Sequence, residues 1–151
     1  MADPLVAILA CLVIGISDGD TLTARCDTSA GTQNVKIRLA EIDAPERRQA
    51  FGNRSRQHLA SLCFRKQAQV RPTATDRYRR TVARVRCEGT DANAEQVRAG
   101  MAWAFTRYLT DPAIARLEGE ARAERRGLWI DAEPLAPWLW REQRRQATPA
   151  P

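Results

Sequence analysis

Apolar and polar residues alternate in several short stretches of the chain, and turn-forming residues separate these stretches. Alternation with a period of two is typical of a β-strand that buries one face. In the stretch 35–42, Val35, Ile37 and Leu39 fall on one face. Arg38 falls on the opposite face. The pattern predicts five strands, at about 9–16, 21–27, 35–42, 67–71 and 80–87.

Helical patterns cover three other segments. The first, at about 53–63, has its apolar residues on one face, and the second covers about 92–99. The third begins at Asp111, a capping residue that a proline follows, and ends at Gly127. Five short strands closed by three helices indicate an α+β fold and favour a five-stranded Greek-key β-barrel of the OB type, although counting strands alone does not fix this choice.

The chain length of 151 residues suits a single domain with its own core. We predict that this domain covers residues 9–140. Residues 1–8 would be a lead-in or the remnant of a trimmed signal, and residues 141–151, which are rich in arginine and proline, would be a flexible tail. The apolar run before residue 17 is too short to span a bilayer, so no stable membrane association is expected.

The chain carries a net charge of +6, and Lys36 and Lys66 are the only lysines among its 24 basic residues. The planar guanidinium group of arginine suits phosphate oxygens, so a polyanion such as nucleic acid is a candidate partner. A preference for arginine over lysine can equally reflect genome composition. Charge alone therefore leaves the partner open.

The four cysteines form no CxxC motif, and His58 is the only histidine, so no zinc site is expected. An even number of widely spaced cysteines suits two disulfides and an oxidising compartment. We therefore expect a secreted or periplasmic protein.

The pairing of the cysteines follows from their predicted positions. If the first hairpin turns at residues 18–19, Cys11 and Cys26 lie opposite each other. Cys63 ends the apolar face of the first helix, and Cys87 shares the core face of the last strand. We predict the disulfides Cys11–Cys26 and Cys63–Cys87, with four free buried thiols as the alternative.

The stretch SDGDT at 17–21 has two aspartates on either side of a glycine, which suits both a tight turn and a carboxylate beside a metal ion. It is one of five stretches that together resemble the staphylococcal nuclease (thermonuclease) family. The others are VKIRLAEIDAPE at 35–46, DRYRR at 76–80, NAEQVRAGMAWA at 93–104 and GLW at 127–129. They occur in the order and spacing of the family. The resemblance implies a five-stranded OB barrel with three helices and calcium-dependent cleavage of DNA and RNA.

The resemblance also implies a Ca²⁺ site made of oxygen ligands. Asp20 and Asp43 would be its direct side-chain ligands, and the backbone carbonyl of Ala44 would be a third oxygen. Family members often carry threonine at position 44, but a backbone ligand should tolerate this change. Asp18 would hold a water molecule near the metal, and its alternative role is ordinary turn chemistry.

Three further residues match catalytic positions of the family. Arg38 and Arg80 would bind the substrate phosphate from two sides, although either one alone would more simply be a solvated charge on a strand. Glu46 would activate or position the attacking water, either as a general base or as an organiser of the loop.

Tyr78 and Tyr108 match positions at which the family packs tyrosines against the nucleotide, and stacking of this kind tolerates any base. Their alternative role is that of ordinary half-buried tyrosines. Arg79 replaces a glycine of the family and could offer a further guanidinium group to the phosphate. If position 79 has a positive φ, Arg79 strains the turn by about 1 kcal/mol.

The sequence therefore predicts a monomeric hydrolase, a calcium-dependent nuclease that acts with little sequence specificity on DNA, with RNA as a further candidate substrate. The alternative is a non-catalytic OB module that binds single-stranded nucleic acid through its basic face. The carboxylates Asp20, Asp43 and Glu46 argue against this alternative, because simple binding of a phosphate has no need for them.

Overall fold

A computed structural model of the protein describes residues 7–147, so most of the predicted lead-in and the last four residues lie outside it. The described part contains eight strands: β1 (Leu9–Asp18), β2 (Thr21–Thr28), β3 (Gly31–Leu39), β4 (Ile42–Asp43), β5 (Gln67–Thr75), β6 (Thr81–Cys87), β7 (Thr90–Asp91) and β8 (Trp103–Ala104). It also contains four α-helices: α1 (Gly52–Cys63), α2 (Ala92–Arg98), α3 (Pro112–Ala123) and α4 (Pro137–Ala147). Short 3₁₀ helices cover Thr106–Tyr108 and Gly127–Ile130.

The five long strands close into a barrel. They follow one another in the order β3, β2, β1, β5, β6, and β6 pairs in parallel with β3 to complete the ring. The other neighbouring pairs in the ring are antiparallel. The inner face of the barrel is fully buried at Val13, Leu22, Ile37, Val70 and Val85. The predicted α+β fold with a five-stranded OB-type barrel is therefore confirmed.

The β1–β2 hairpin differs from the predicted one near its tip. Cys11 pairs with Cys26 in the predicted register, but the pairing shifts twice between these residues and the turn. β1 continues to Asp18, so that the turn is formed by Gly19 and Asp20 and not by Asp18 and Gly19. Bulges of this kind re-aim side chains and are frequent beside active sites.

Both predicted disulfides are present. Cys11–Cys26 joins facing residues of β1 and β2, and Cys63–Cys87 joins the last residue of α1 to the last residue of β6. All four cysteines are buried, and none of the described cysteines is free. Two buried disulfides indicate a location outside the reducing cytoplasm.

We expect removal of either disulfide to lower the free energy of unfolding by about 3 kcal/mol, because a cross-link restricts the unfolded chain. The two bridges span sequence separations of 15 and 24 residues. Urea denaturation of the Cys11→Ser/Cys26→Ser and Cys63→Ser/Cys87→Ser variants against the parent measures each contribution. Four alkylatable cysteines in the denatured, non-reduced protein would contradict the pairing.

The C-terminal region requires a correction. The predicted flexible tail at 141–151 is helical as far as Ala147, because α4 continues through it and raises the number of helices from the predicted three to four. Pro137 occupies the first position of the helix, where its missing N–H costs nothing. Trp138 stacks on Phe105, with ring centroids 5.3 Å apart. This aromatic contact anchors α4 to the rest of the domain.

Candidate active site

The turn that carries Asp20 is held between two helices. A side chain at Gly19 would overlap the hydroxyl group of Ser55 on α1, so only glycine fits at this position. The carbonyl oxygen of Gly19 accepts a hydrogen bond of 2.7 Å from Nε2 of Gln96 on α2. Ser55 and Gln96 are both fully buried. The SDGDT sequence therefore forms a turn whose position the two helices determine.

Asp20 connects this turn to the segment that follows β4. Its Oδ1 accepts a hydrogen bond from the hydroxyl group of Thr21 at 2.9 Å, and its Oδ2 accepts one from the backbone N–H of Ala44 at 2.8 Å. The residue is only 7% exposed. These bonds place the backbone of Ala44 directly beside the carboxylate of Asp20.

Arg38 joins Asp20 to Asp43. Its Nη2 lies 3.4 Å from Oδ2 of Asp20 and 3.2 Å from Oδ1 of Asp43, so one cationic nitrogen contacts both carboxylates. Its Nη1 donates to the carbonyl oxygens of Leu39 and Ile42 at 2.6 and 2.8 Å. The guanidinium group is therefore held in position by four acceptors. As predicted, Arg38 lies on the face of β3 opposite to the core residues.

The carboxylates of the site influence one another electrostatically. Burial raises the pKa of Asp43 to about 6, although hydrogen bonds from Arg141 oppose this shift, and Asp20 raises it further. Burial also raises the pKa of Asp18, and the neighbouring charges of Asp20 and Glu46 act in the same direction. Asp18, Asp20, Asp43 and Glu46 therefore lie close enough to act on one another electrostatically.

The donor set fits a hard divalent cation. Within residues 7–147, no three His, Cys, Asp or Glu side chains are arranged as a ready-made metal site. The predicted site needs only two side-chain ligands, because a backbone carbonyl and water supply the other oxygens. Asp20 and Asp43 already contact the same cationic atom of Arg38, so a single cation can be shared between them. Carboxylate and carbonyl oxygens are the ligands that calcium prefers.

Arg141 is a residue of this site that sequence analysis missed. It lies on α4, and its Nη2 donates to Oδ2 of Asp43 at 2.7 Å. Its Nη1 donates to Oε1 of Glu46 at 2.7 Å and to Oδ1 of Asp43 at 3.2 Å. These contacts raise the pKa of Arg141 above its ordinary value, even though burial opposes the shift. The arginine-rich composition of the segment had indicated a solvated tail.

Arg80 makes its contacts outside this carboxylate cluster. Its Nε donates to Oδ2 of Asp76 at 2.7 Å, and its guanidinium carbon lies 5.4 Å from the centre of the Tyr78 ring. Among residues 7–147, no hydrogen bond or ion pair joins Arg80 to the carboxylates of the site. It does precede β6, the strand that lies beside β3 and its Arg38. The role of Arg80 at a phosphate stays a prediction.

Arg79 has a φ of 64°, in the left-handed region that favours glycine. We expect Arg79→Gly to raise the free energy of unfolding by about 1 kcal/mol, because glycine adopts this conformation without a Cβ clash. Chemical denaturation of Arg79→Gly and Arg79→Ala measures the effect, since alanine removes the guanidinium group but keeps the strain. An Arg79→Gly variant less stable than Arg79→Ala would contradict the explanation.

The two predicted stacking residues are exposed. Tyr78 is 64% exposed and Tyr108 is 57% exposed. Neither is therefore an ordinary half-buried tyrosine, which was the alternative to a stacking role. Arg77 lies over the ring of Tyr78 at 5.0 Å, and Arg107 lies over the ring of Tyr108 at 5.5 Å. Each ring therefore combines an aromatic face with a nearby positive charge, which suits a single-stranded nucleic acid.

Comparison with known proteins gives the family. Residues 36–131 match the family model of staphylococcal nuclease homologues, and the chain belongs to this family. An uncharacterized endonuclease of Haemophilus influenzae is 45% identical over 133 residues, which cover 88% of this chain and 73% of that protein. Micrococcal nuclease of Shigella flexneri is 43% identical over 147 residues, which cover 90% of this chain and 82% of that protein. Protein ParB of Escherichia coli is 42% identical over 154 residues, with coverage of 95% and 85%.

Proposed function

We propose that the protein is a calcium-dependent nuclease that hydrolyses phosphodiester bonds of DNA and RNA with little sequence specificity. The relatives named endonuclease and micrococcal nuclease support a nuclease activity. One observation carries the proposal further. A single nitrogen of Arg38 lies within 3.4 Å of carboxylate oxygens of both Asp20 and Asp43. Two candidate metal ligands and a candidate phosphate-binding arginine therefore meet at one point.

The proposed reaction adds the oxygen of water to phosphorus and breaks the bond from phosphorus to a sugar oxygen. Negative charge grows on the phosphoryl oxygens in the transition state. Ca²⁺ bound by Asp20, Asp43 and the carbonyl of Ala44 would supply positive charge beside those oxygens. Arg38 would supply more: its Nη1 is held by the carbonyl oxygens of Leu39 and Ile42, and its Nη2 would turn from the two carboxylates to the phosphate.

Glu46 is the candidate acceptor for the proton of the attacking water. It follows the ligand segment directly, and its carboxylate lies in the same cluster as Asp43 through their shared contacts with Arg141. Arg80, directly before β6, would bind the phosphate from the side opposite to Arg38. Tyr78 and Tyr108 would stack against bases without regard to sequence, which agrees with a nuclease of low specificity.

We further propose that the protein works as a monomer in a secreted or periplasmic setting. The two disulfides support a compartment outside the cytoplasm. No helix among the described residues has the length and apolarity needed to cross a bilayer. DNA or RNA is the proposed partner, without stable membrane association.

The proposal is tested by incubating the purified protein with plasmid DNA, with single-stranded DNA and with RNA, first with calcium and then with a chelator. We expect cleavage of all three substrates with calcium and none with the chelator. Retarded migration of uncut single-stranded DNA under both conditions would favour the non-catalytic OB module instead. A time course on end-labelled DNA and RNA of equal length then separates internal cleavage from cleavage at the ends.

A further inference from the structure

Arg141 contacts two carboxylates of the site, Asp43 and Glu46. It reaches this position from α4, lies 98 residues from Asp43 and 95 from Glu46 along the chain, and bridges the two carboxylates with its terminal nitrogens. The side chain of Asp43 is only 1% exposed, so water has little access to it. The negative charge of Asp43 is instead compensated by Arg141 on both oxygens and by Arg38 on one.

This arrangement conflicts with the binding of a further cation beside the two guanidinium groups that already contact Asp43. A metal ion bound by Asp43 would approach the same oxygens that Arg141 contacts at 2.7 and 3.2 Å. Two cations on one buried carboxylate repel each other more strongly than they would in water, because the surroundings screen them poorly. The oxygens of Asp43 also have a limited number of lone pairs, and the guanidinium group already uses some of them.

We propose that Arg141 is a built-in counter-ion that competes with calcium for Asp43, so that the metal and the Arg141 contact weaken each other. The proposal rests on the proposed function, since it places calcium at Asp20 and Asp43. Coupling between two such contacts is reciprocal. Calcium binding therefore loosens the hold of Arg141 on the site, and loss of Arg141 tightens the binding of calcium.

α4 is built in a way that permits this release. The buried residue of α4 is Pro137, in its first turn, and Trp138 anchors the same end against Phe105. Residues 142–147 are all exposed. Arg141 therefore connects this part of the helix to the active-site carboxylates, and release of Arg141 leaves the first-turn anchor in place.

The test measures calcium binding directly, without a nucleic acid. Terbium luminescence with competition by calcium gives the dissociation constant for the parent and for Arg141→Gln. We expect Arg141→Gln to bind calcium about tenfold more tightly, which is within the usual range for coupled sites. Arg141→Lys should lie between the two, because one ammonium group cannot reproduce the bidentate contact. Arg145→Gln is the matched control, since it removes the same charge from the same helix at an exposed position and should change the affinity less than twofold.

A second readout follows α4 itself. Hydrogen exchange of residues 141–147 should become faster in the parent when calcium is added, and it should already be fast in metal-free Arg141→Gln. Unchanged or weaker calcium binding in Arg141→Gln would overturn the proposal, as would protection of α4 by calcium. If the counter-ion proposal fails in this way but the parent and Arg141→Gln both cleave DNA in a calcium-dependent manner, the nuclease assignment still holds. Tighter calcium binding in Arg141→Gln without cleavage by the parent would instead support the counter-ion and contradict the nuclease.

Discussion

Replacement of Asp43 by asparagine is expected to reduce calcium-dependent cleavage of DNA by about 10³-fold or more, because a lost metal ligand removes several kcal/mol of charge stabilisation from the transition state. Asparagine has nearly the same shape as aspartate and can still accept a hydrogen bond from Arg38 and Arg141 through its amide oxygen. Asp20→Asn is expected to have an effect of the same size. Turnover at saturating calcium, measured with a labelled oligonucleotide, checks both variants.

Asp27→Asn is the matched control for these two variants. Asp27 is exposed on β2, and Thr32 donates a hydrogen bond to its carboxylate at 3.3 Å. The substitution changes the net charge by the same amount without touching the carboxylate cluster, and turnover should stay within twofold of the parent. Near-normal turnover in Asp43→Asn would show that Asp43 is not a ligand and that the cation lies elsewhere.

Replacement of Arg38 by alanine is expected to lower turnover by about 10³- to 10⁵-fold, the range that a transition-state arginine supplies in phosphoryl transfer. The structural reason is the convergence of its Nη2 on Asp20 and Asp43, which places a positive charge beside both proposed metal ligands. Arg80→Ala is expected to cause a loss of several orders of magnitude as well. Steady-state kinetics with saturating substrate separates loss of turnover from loss of binding.

Two further variants make this prediction specific. Arg25→Ala removes an exposed arginine of β2 and should leave turnover unchanged. Arg79→Ala tests the register of the DRYRR segment. If Arg79→Ala nearly abolishes activity and Arg80→Ala has a mild effect, the two arginines have exchanged the roles predicted for them. Circular dichroism of each variant confirms that the fold is retained.

Local patterning predicted the long strands, because each buries one face, and the resemblance to the nuclease family was needed to choose the OB barrel. Ile37 and Leu39 are fully buried while Lys36, which precedes Ile37, is exposed, as the alternation indicates. The predicted pairing of Cys11 with Cys26 is correct because the two irregularities between this pair and the turn offset the displacement of the turn. The same irregularities moved the turn itself by one residue, and no simple count of residues reveals them.

The part of the site that could not be predicted depends on distant packing. Arg141 lies 98 residues from Asp43 and 95 from Glu46, so no local pattern relates them. Arginine-rich composition favoured a solvated tail for this segment. The available signal was Pro137 followed by ten residues without glycine or proline, which is typical of a helix. The contact of Arg80 with Asp76 was missed for a different reason. The family match assigned the guanidinium group of Arg80 to the substrate phosphate, whereas in the structure it binds a carboxylate four residues earlier in the chain.

The most direct measurement follows cleavage of a fluorophore–quencher DNA oligonucleotide in one cuvette while the metal is removed and restored. The account predicts steady cleavage by the parent protein in calcium, an immediate stop when excess chelator is added, and recovery when calcium again exceeds the chelator. Asp43→Asn should remain inactive at every calcium concentration. Full cleavage in excess chelator, or activity restored by zinc alone, would contradict a calcium-dependent nuclease built on Asp20 and Asp43.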